Sequence, residues 1–279
     1  MNIAGFMLAL GRHVSIAGSI DMAFDRAAGI GCTAMQIFVT NPRGWELSDM
    51  DEKAISAFRR KAKSTGIGTI AHMPYLPNIA SSNPVSHPKS VKSLIGNMER
   101  CRSLGIGHLV THMGSHLGDG KEGGLSRVVD SVNSALDSAK GTMILLENEA
   151  GHRNSVGDRI EDLVKVYDEV GNRRLGFCLD TCHLFAAGYD ITKEAVLDEM
   201  FGILSIDRVF AVHLNDAKKE LGSRLDRHAN IGFGHIGKDG FRRFLNHGKI
   251  SSKIIILETP EGPEIGEAEE IGIVREMVE

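Results

Sequence analysis

Eight short apolar runs alternate with eight longer amphipathic ones along this chain, and no other feature restricts its fold so tightly. The strand-like runs fall at 3–9, 33–40, 68–73, 107–112, 142–148, 175–181, 208–214 and 253–259. Helical spacing fills about 19–30, 51–65, 88–105, 124–139, 158–170, 192–204, 238–246 and 265–277. A strand followed by a helix, repeated eight times, predicts a parallel (β/α)8 TIM barrel of the α/β class. Gly66, Gly105 and Gly141 each follow a helical run, where helices stop. With 279 residues and no linker-like, heptad or low-complexity tract, residues 1–279 are expected to form one domain.

The longest apolar runs, such as Ile254 to Leu257, are too short for a membrane span. The opening IAGFMLAL has no basic segment before it and no small-x-small site after it, so a strand is expected there rather than a secretory signal. Cys32, Cys101, Cys178 and Cys182 form no CxxC pair, which suits a reducing compartment, and the cytoplasm is expected. A net charge of −4 speaks against a nucleic-acid partner. That figure counts no bound cation, and divalent ions gathered in one cleft would make it locally positive. Lys218, Lys219, Arg224 and Arg227 flank Asp226 and His228. Alone they read as a solvated loop; beside cations they suit a phosphate-binding rim.

Six of the predicted strands, the third to the eighth, end in a potential metal ligand: His72, His112, Glu147, Asp180, His213 and Glu258. The C-terminal ends of the strands are the face on which barrel enzymes build their sites. Period-two alternation puts Met143 and Leu145 on the face of Glu147, and Val209 and Ala211 on the face of His213, as an inward face requires. His183, Asp226 and His228 are expected on the loops after strands six and seven. One histidine at a strand end is ordinarily a hydrogen-bonded core residue, and one carboxylate there a helix cap. Nine nitrogen and oxygen donors at one barrel mouth, five histidines and four carboxylates, instead describe a multinuclear centre. Zinc suits them, with manganese or iron also compatible. Cys178 reads as barrel core and Cys182 as a small buried residue. The run GFGHIG at 232–237 matches a dinucleotide fingerprint but follows no strand, so a glycine-rich turn is expected. His116 reads as a neighbour of the site or a loop residue. His87, His108, His152 and His247 have no supporting context.

The runs CLDTCHLFAAGYD, HLNDAKKELGSRLDRHANIGFGHIG and ILETP resemble the signatures of endonuclease IV, the zinc-dependent apurinic/apyrimidinic endonuclease family, and agreement extends from HVSIAGSI to ILETP. The resemblance implies a TIM barrel with three zinc ions per chain, manganese substituting in part. It further implies a deoxyribonuclease IV type of activity in base excision repair. The phosphodiester 5′ to an abasic site is hydrolysed, leaving a 3′-hydroxyl and a 5′-deoxyribose phosphate. Carried over by position, His72, His112 and Glu147 would hold one ion. Glu147, as the bridging catalytic carboxylate, would join Asp180, His213 and Glu258 on the second, and His183, Asp226 and His228 would hold the third.

For DNA, the resemblance points to Arg43, Tyr75 and Leu76 as side chains inserted at the lesion, where a missing base makes unstacking cheapest. Lys218 and Arg224 would meet phosphates. The expected partner is abasic double-stranded DNA, bound by a monomer in the cytoplasm or at a nucleoid, with no membrane partner. Phe233 between two glycines and Glu149 after Glu147-Asn148 depart from the usual pattern. A sugar isomerase or epimerase of the related xylose isomerase-like barrels is the alternative. It needs one or two ions and no third ligand set. A non-catalytic damage-binding protein would carry a degraded ligand set.

Overall fold

In a computed structural model that describes residues 8–45, 47, 49–262 and 264–278, eight parallel strands close into a barrel. They are β1 (Leu10–His13), β2 (Ala34–Phe38), β3 (Gly68–His72), β4 (His108–His112), β5 (Met143–Glu147), β6 (Leu175–Asp180), β7 (Val209–His213) and β10 (Ile254–Leu257). Around the ring the order is β1-β10-β7-β6-β5-β4-β3-β2, so neighbours in sequence are neighbours in the sheet. The short pair β8 (Asp216–Ala217) and β9 (His228–Ala229) is antiparallel and lies between β7 and β10 in the chain. Helices α1 (Met22–Gly29), α2 (Glu52–Thr65), α3 (Ser86–Leu104), α4 (Lys121–Ser138), α5 (Ile160–Val170), α6 (Thr181–Ala187), α7 (Glu194–Leu204), α8 (Gly237–Asn246) and α9 (Glu267–Arg275) complete the described elements.

The expected alternation is therefore present, with three local differences. Most of the strand expected at 3–9 lies outside the described residues; residues 8 and 9 are not in a strand, and the first strand is β1. The segment after β6 is helix α6, because Asp180 ends the strand and caps the helix in one step, its side chain accepting from His183 N at 2.8 Å. No loop residue separates the two elements. Val209 does not share the inward face of His213. The β6–β7 register steps from Phe177↔Val209 to Cys178↔Ala211, so Phe210 is extra and Val209 joins the outer core. Gly176 makes room for the Phe210 ring, which a Cβ there would approach at 2.6 Å.

Inside the ring Ala34, Ile70, Val110, Leu145, Cys178, Ala211 and Ile256 pack as one buried layer, while the helices seal the outer faces. On β1 the matching position is Gly11, where a Cβ would run into the Ala34 carbonyl. Two residues further along each strand the period of the pleat brings up His13, Gln36, His72, His112, Glu147, Asp180, His213 and Glu258. The barrel thus carries a polar ring on an apolar floor.

Leu145 stands directly beneath Glu147 and is fully buried. Leu145→Ala should lower the unfolding free energy by about 2–5 kcal/mol, measured by urea denaturation of metal-free protein. A loss under about 1 kcal/mol would show that this floor is not tightly packed.

Candidate metal centre

Glu147 lies at the hub. Its side chain is 1% exposed, and oxygens of its carboxylate lie 3.0 Å from His72 Nε2, 3.4 Å from His112 Nε2, 2.8 Å from His213 Nδ1 and 3.7 Å from His183 Nδ1. Glu258 closes the same side, 3.3 Å from His213 Nδ1. Asp226 reaches in from the loop before β9, with Oδ1 3.1 Å from His228 Nε2 and 3.4 Å from His183 Nε2. Asp180 Oδ2 lies 3.6 Å from His228 Nε2. All nine donors singled out from the sequence thus meet at one barrel mouth.

Charge balance follows from this packing. Burial alone would favour the neutral acid at Glu147, but His112 and His213 outweigh it and hold the carboxyl well below its usual range. Burial likewise opposes the charged form of His112, yet Glu147 and Glu149 raise it to about 9. His228 also reaches about 9 despite burial, through Asp180 and Asp226. His183 and His213 are raised for the same reason against the same burial cost. Without cations, protons are the countercharge that this cluster recruits.

The donor set fits metal ions closely. Four of the five histidines have one ring nitrogen hydrogen-bonded to a fixed partner, and His112 Nδ1 lies near Glu149 without a hydrogen bond. His72 Nδ1 donates to Met73 O at 2.7 Å, His183 Nδ1 to Asn148 O at 2.9 Å and His228 Nδ1 to Glu258 O at 3.2 Å. His213 Nε2 meets Gln36 Oε1 at 2.8 Å, and His112 Nδ1 faces Glu149 at 3.3 Å. The second nitrogen of each ring turns towards the carboxylates, which is how ligand histidines are held. His183 Nε2 and His228 Nε2 are buried without a hydrogen bond, although Asp226 Oδ1 is close by, so distance is satisfied where direction is not. Among the described residues, donor atoms close enough to share an ion form the groups His72-His112-Glu147, Glu147-Asp180-His213-Glu258 and His183-Asp226-His228, among others. Cys182 comes within similar reach of Asp180 and His228, but burial pushes its thiol pKa up and the thiol is 3.6 Å from Arg227 O.

Several contributors carried no signal in a single sequence. Gln36, fully buried on β2, donates to Glu258 at 2.6 Å and accepts at His213. Asn215 donates to Asp180 at 2.7 Å and accepts from Glu258 N at 2.8 Å. His13, the first residue of the HVSIAGSI segment, stands on the ring beside Gln36 and Glu258. The GFGHIG run proves to be a nest for the protein's own carboxylate. Buried Asp216 accepts from the backbone N–H groups of Gly232, Gly234, Ile236 and Gly237 at 2.9 to 3.3 Å. Gly234 permits that approach, since a Cβ there would meet the carboxylate at 2.5 Å.

The centre opens into a cavity of about 480 Å³ lined by His72, Tyr75, His112, His183, Asp226, His228 and Glu258, among others. An adjoining recess of about 270 Å³ shares Tyr75, His112 and Asp226 and adds Asn78, Glu149 and His152. Tyr75 is 70% exposed and stands edge-on to Phe38, while Leu76 is 44% exposed. Arg43, Lys218 and Arg224 are exposed on loops that follow barrel strands, and with Leu76 they are not among the residues lining the cavity. His116 serves its own loop, its Nδ1 accepting from Gly118 N and Gly120 N.

The sign of the charge balance sets a pH test. His112, His183, His213 and His228 have folded-state pKa values above the 6.5 of a free imidazole. Their contribution is complete below that value and is lost as pH rises through about 9, whereas the depressed Glu147 already contributes fully above 4.5. Metal-free protein should therefore lose several degrees of Tm between pH 6.5 and 9. Zinc-loaded protein, with cations in place of those protons, should not. Melting curves across that window check it, and a flat metal-free Tm would contradict the balance.

A family model described as a xylose isomerase-like TIM barrel matches residues 24–277. A protein named probable endonuclease 4 from Methanoculleus marisnigri is 47% identical, covering 97% of this chain and 99% of that one. Another from Cenarchaeum symbiosum is 46% identical over 90% of this chain and 92% of its own. The crystal structure of endonuclease IV from Thermus thermophilus superposes with a TM-score of 0.86 at 34% identity, covering 96% of this chain and 98% of that one. A D-tagatose 3-epimerase-like protein, at TM-score 0.73 and 19% identity, shares the fold. Sequence kinship along nearly the whole length, on a barrel whose mouth gathers these nine donors, makes this chain a member of the endonuclease IV family.

Proposed function

We propose that residues 1–279 act as one zinc-dependent endonuclease domain of the deoxyribonuclease IV type. It would cut duplex DNA on the 5′ side of abasic sites in base excision repair, leaving a 3′-hydroxyl and a 5′-deoxyribose phosphate. Three ions per chain are proposed, zinc with manganese substituting in part, held by the three ligand groups with Glu147 shared between two of them. The supporting observation is that four of the five histidines have one nitrogen hydrogen-bonded to a neighbour and that all five turn the other to a carboxylate. The third group, His183, Asp226 and His228, favours this reading over the sugar epimerase alternative, which has no use for it.

Bound zinc would supply Lewis acidity towards phosphate oxygens and a water acidic near neutral pH. The chain's own residues provide the geometry. Glu147, kept unprotonated by the histidines around it, would be the carboxylate that orients the attacking water. Asn215 and Gln36 hold Asp180, Glu258 and His213 so that each presents a fixed atom. Tyr75, exposed at the cavity, and exposed Leu76, next in the chain, suit apolar wedges for a duplex missing a base, and Arg43 is proposed to join them. Lys218 and Arg224 suit phosphates along the approach. The proposed setting is the cytoplasm, as a monomer. The four cysteines are free, and no helix among the described residues is long and apolar enough to cross a membrane.

A nicking assay on duplex containing one abasic site tests the function. Cleavage 5′ to the lesion should vanish with chelator and return with zinc, and elemental analysis should find about three ions per chain. Glu147→Gln should cut the rate by roughly three orders of magnitude or more while DNA binding persists. Full activity with one ion, or near-normal turnover by this variant, would reject the scheme.

Replacing Tyr75 and Leu76 together by Ala should weaken binding to abasic duplex about tenfold or more, with metal content and Tm nearly unchanged. Affinity for intact duplex, and its dependence on salt, should stay close to that of the unaltered protein. Equal losses on damaged and intact DNA, read by fluorescence anisotropy, would show that these side chains are not wedges.

A further inference from the structure

Behind the metal centre lies a second buried polar cluster that none of the proposed chemistry uses. Its hub is Glu270 on α9, with no exposed surface, surrounded by Arg12, Thr259 and Asn230, each 5% exposed or less. The two oxygens of Glu270 divide the work. Oε1 accepts from Ile231 N at 2.7 Å and from Asn230 Nδ2 at 3.2 Å. Oε2 accepts from Arg12 Nη1 at 2.6 Å and from Thr259 Oγ1 at 2.7 Å. Arg12 ties the far side, donating from Nη2 to Thr259 O at 2.8 Å. Asn230 Nδ2 also lies 3.1 Å from Pro260 O.

Each oxygen therefore grips a different ligand-bearing segment. Asn230 and Ile231 directly follow β9, which begins with His228, and Thr259 directly follows Glu258. The two segments also touch at the centre itself, where His228 Nδ1 donates to Glu258 O. One carboxylate, held in place by a helix near the C-terminal end of the chain, thus sets the spacing of two segments that would otherwise be joined by that one contact and by Asn230. A buried carboxylate with four donors around it is costly unless all four are kept, so the spacing is stiff.

We infer that Glu270 is a positioning residue, fixing His228 against Glu258 and so setting the affinity of the centre for the ion bordered by His183, Asp226 and His228. That ion is the sensitive one because Asp226 is exposed on a loop, leaving His228 and buried His183 to define its place. The inference rests on the metal centre proposed above, but its deciding readout, the number and affinity of bound zinc ions, needs no DNA. Glu270→Gln keeps the shape and replaces one acceptor oxygen by an NH2 donor, which must face either Arg12 and Thr259 or Ile231 N. Either Arg12 or Ile231 N then loses its acceptor, and the hold on one of the two segments is weakened. Thr259→Val removes the hydroxyl that donates to Glu270 and accepts from Arg12, keeps both bonds to Oε1 and the bond from Arg12 to the backbone carbonyl, and is the milder variant.

Metal-free protein would be titrated with zinc against a chromophoric chelator, with its Tm recorded in parallel. The unaltered protein should bind three ions. Glu270→Gln should hold two of them as before and the third about 10–100-fold more weakly, with Thr259→Val moving the same way by less. Excess zinc should restore abasic-site nicking by both variants. A general loss of stability would weaken all three ions together and would not be rescued in this manner. Three ions held with unaltered affinity in both variants, with a lower metal-free Tm alone, would overturn the inference and leave the proposed function standing. Fewer than three ions in the unaltered protein would overturn both. Should Glu270→Gln fail to fold, the Thr259→Val titration decides.

Discussion

A carboxylate buried among imidazoles at the mouth of the barrel is the interaction on which the rest depends. Glu147 could not remain charged at 1% exposure in an apolar setting, since burial favours its neutral form. His72, His112, His183 and His213 reverse that preference. His112, His183 and His213 are in turn drawn towards the charged form, so the cluster is internally consistent only with protons or cations at its centre. Polar residues that would destabilise an ordinary barrel are thereby made compatible with a sealed apolar floor one layer down.

The second tier explains why the first keeps its shape. Met73, Asn148 and Glu258 offer backbone carbonyls to histidines of the cluster, and Gln36 offers its side-chain oxygen. Asp180 ends β6, caps α6 and accepts from Asn215, so one side chain joins strand, helix and centre. Asp216 gathers the glycine-rich run beneath it and fixes the chain between β9 and α8. Such supports are rigid because each donor or acceptor lost there would be left unpaired in a dry interior.

Barrels of this architecture also occur in sugar epimerases, whose likeness here is one of fold. The group His183, Asp226 and His228 depends on the stretch between β7 and β10. That stretch forms the small β8–β9 pair and carries Asp226 and His228 to the rim. Function on a shared scaffold is decided by such segments, at the strand ends and not in the floor.

The sequence by itself determined the barrel and the donor set. Strand and helix periods are local properties, and six donors at successive strand ends are placed on one face by the pleat alone. The family motifs extended that to the loop donors. Only the tertiary structure decided what lies across the barrel from what. Gln36 reaches His213 and Glu258, residues 177 and 222 positions away in the chain, and Arg12 reaches Glu270 across 258. The bulge at Phe210 and the loopless passage from β6 into α6 were equally hidden, because both follow from packing against neighbours. A lone buried Gln or Glu has no periodicity to betray it; its partner is chosen by closure of the ring, which brings together strands that the chain keeps far apart.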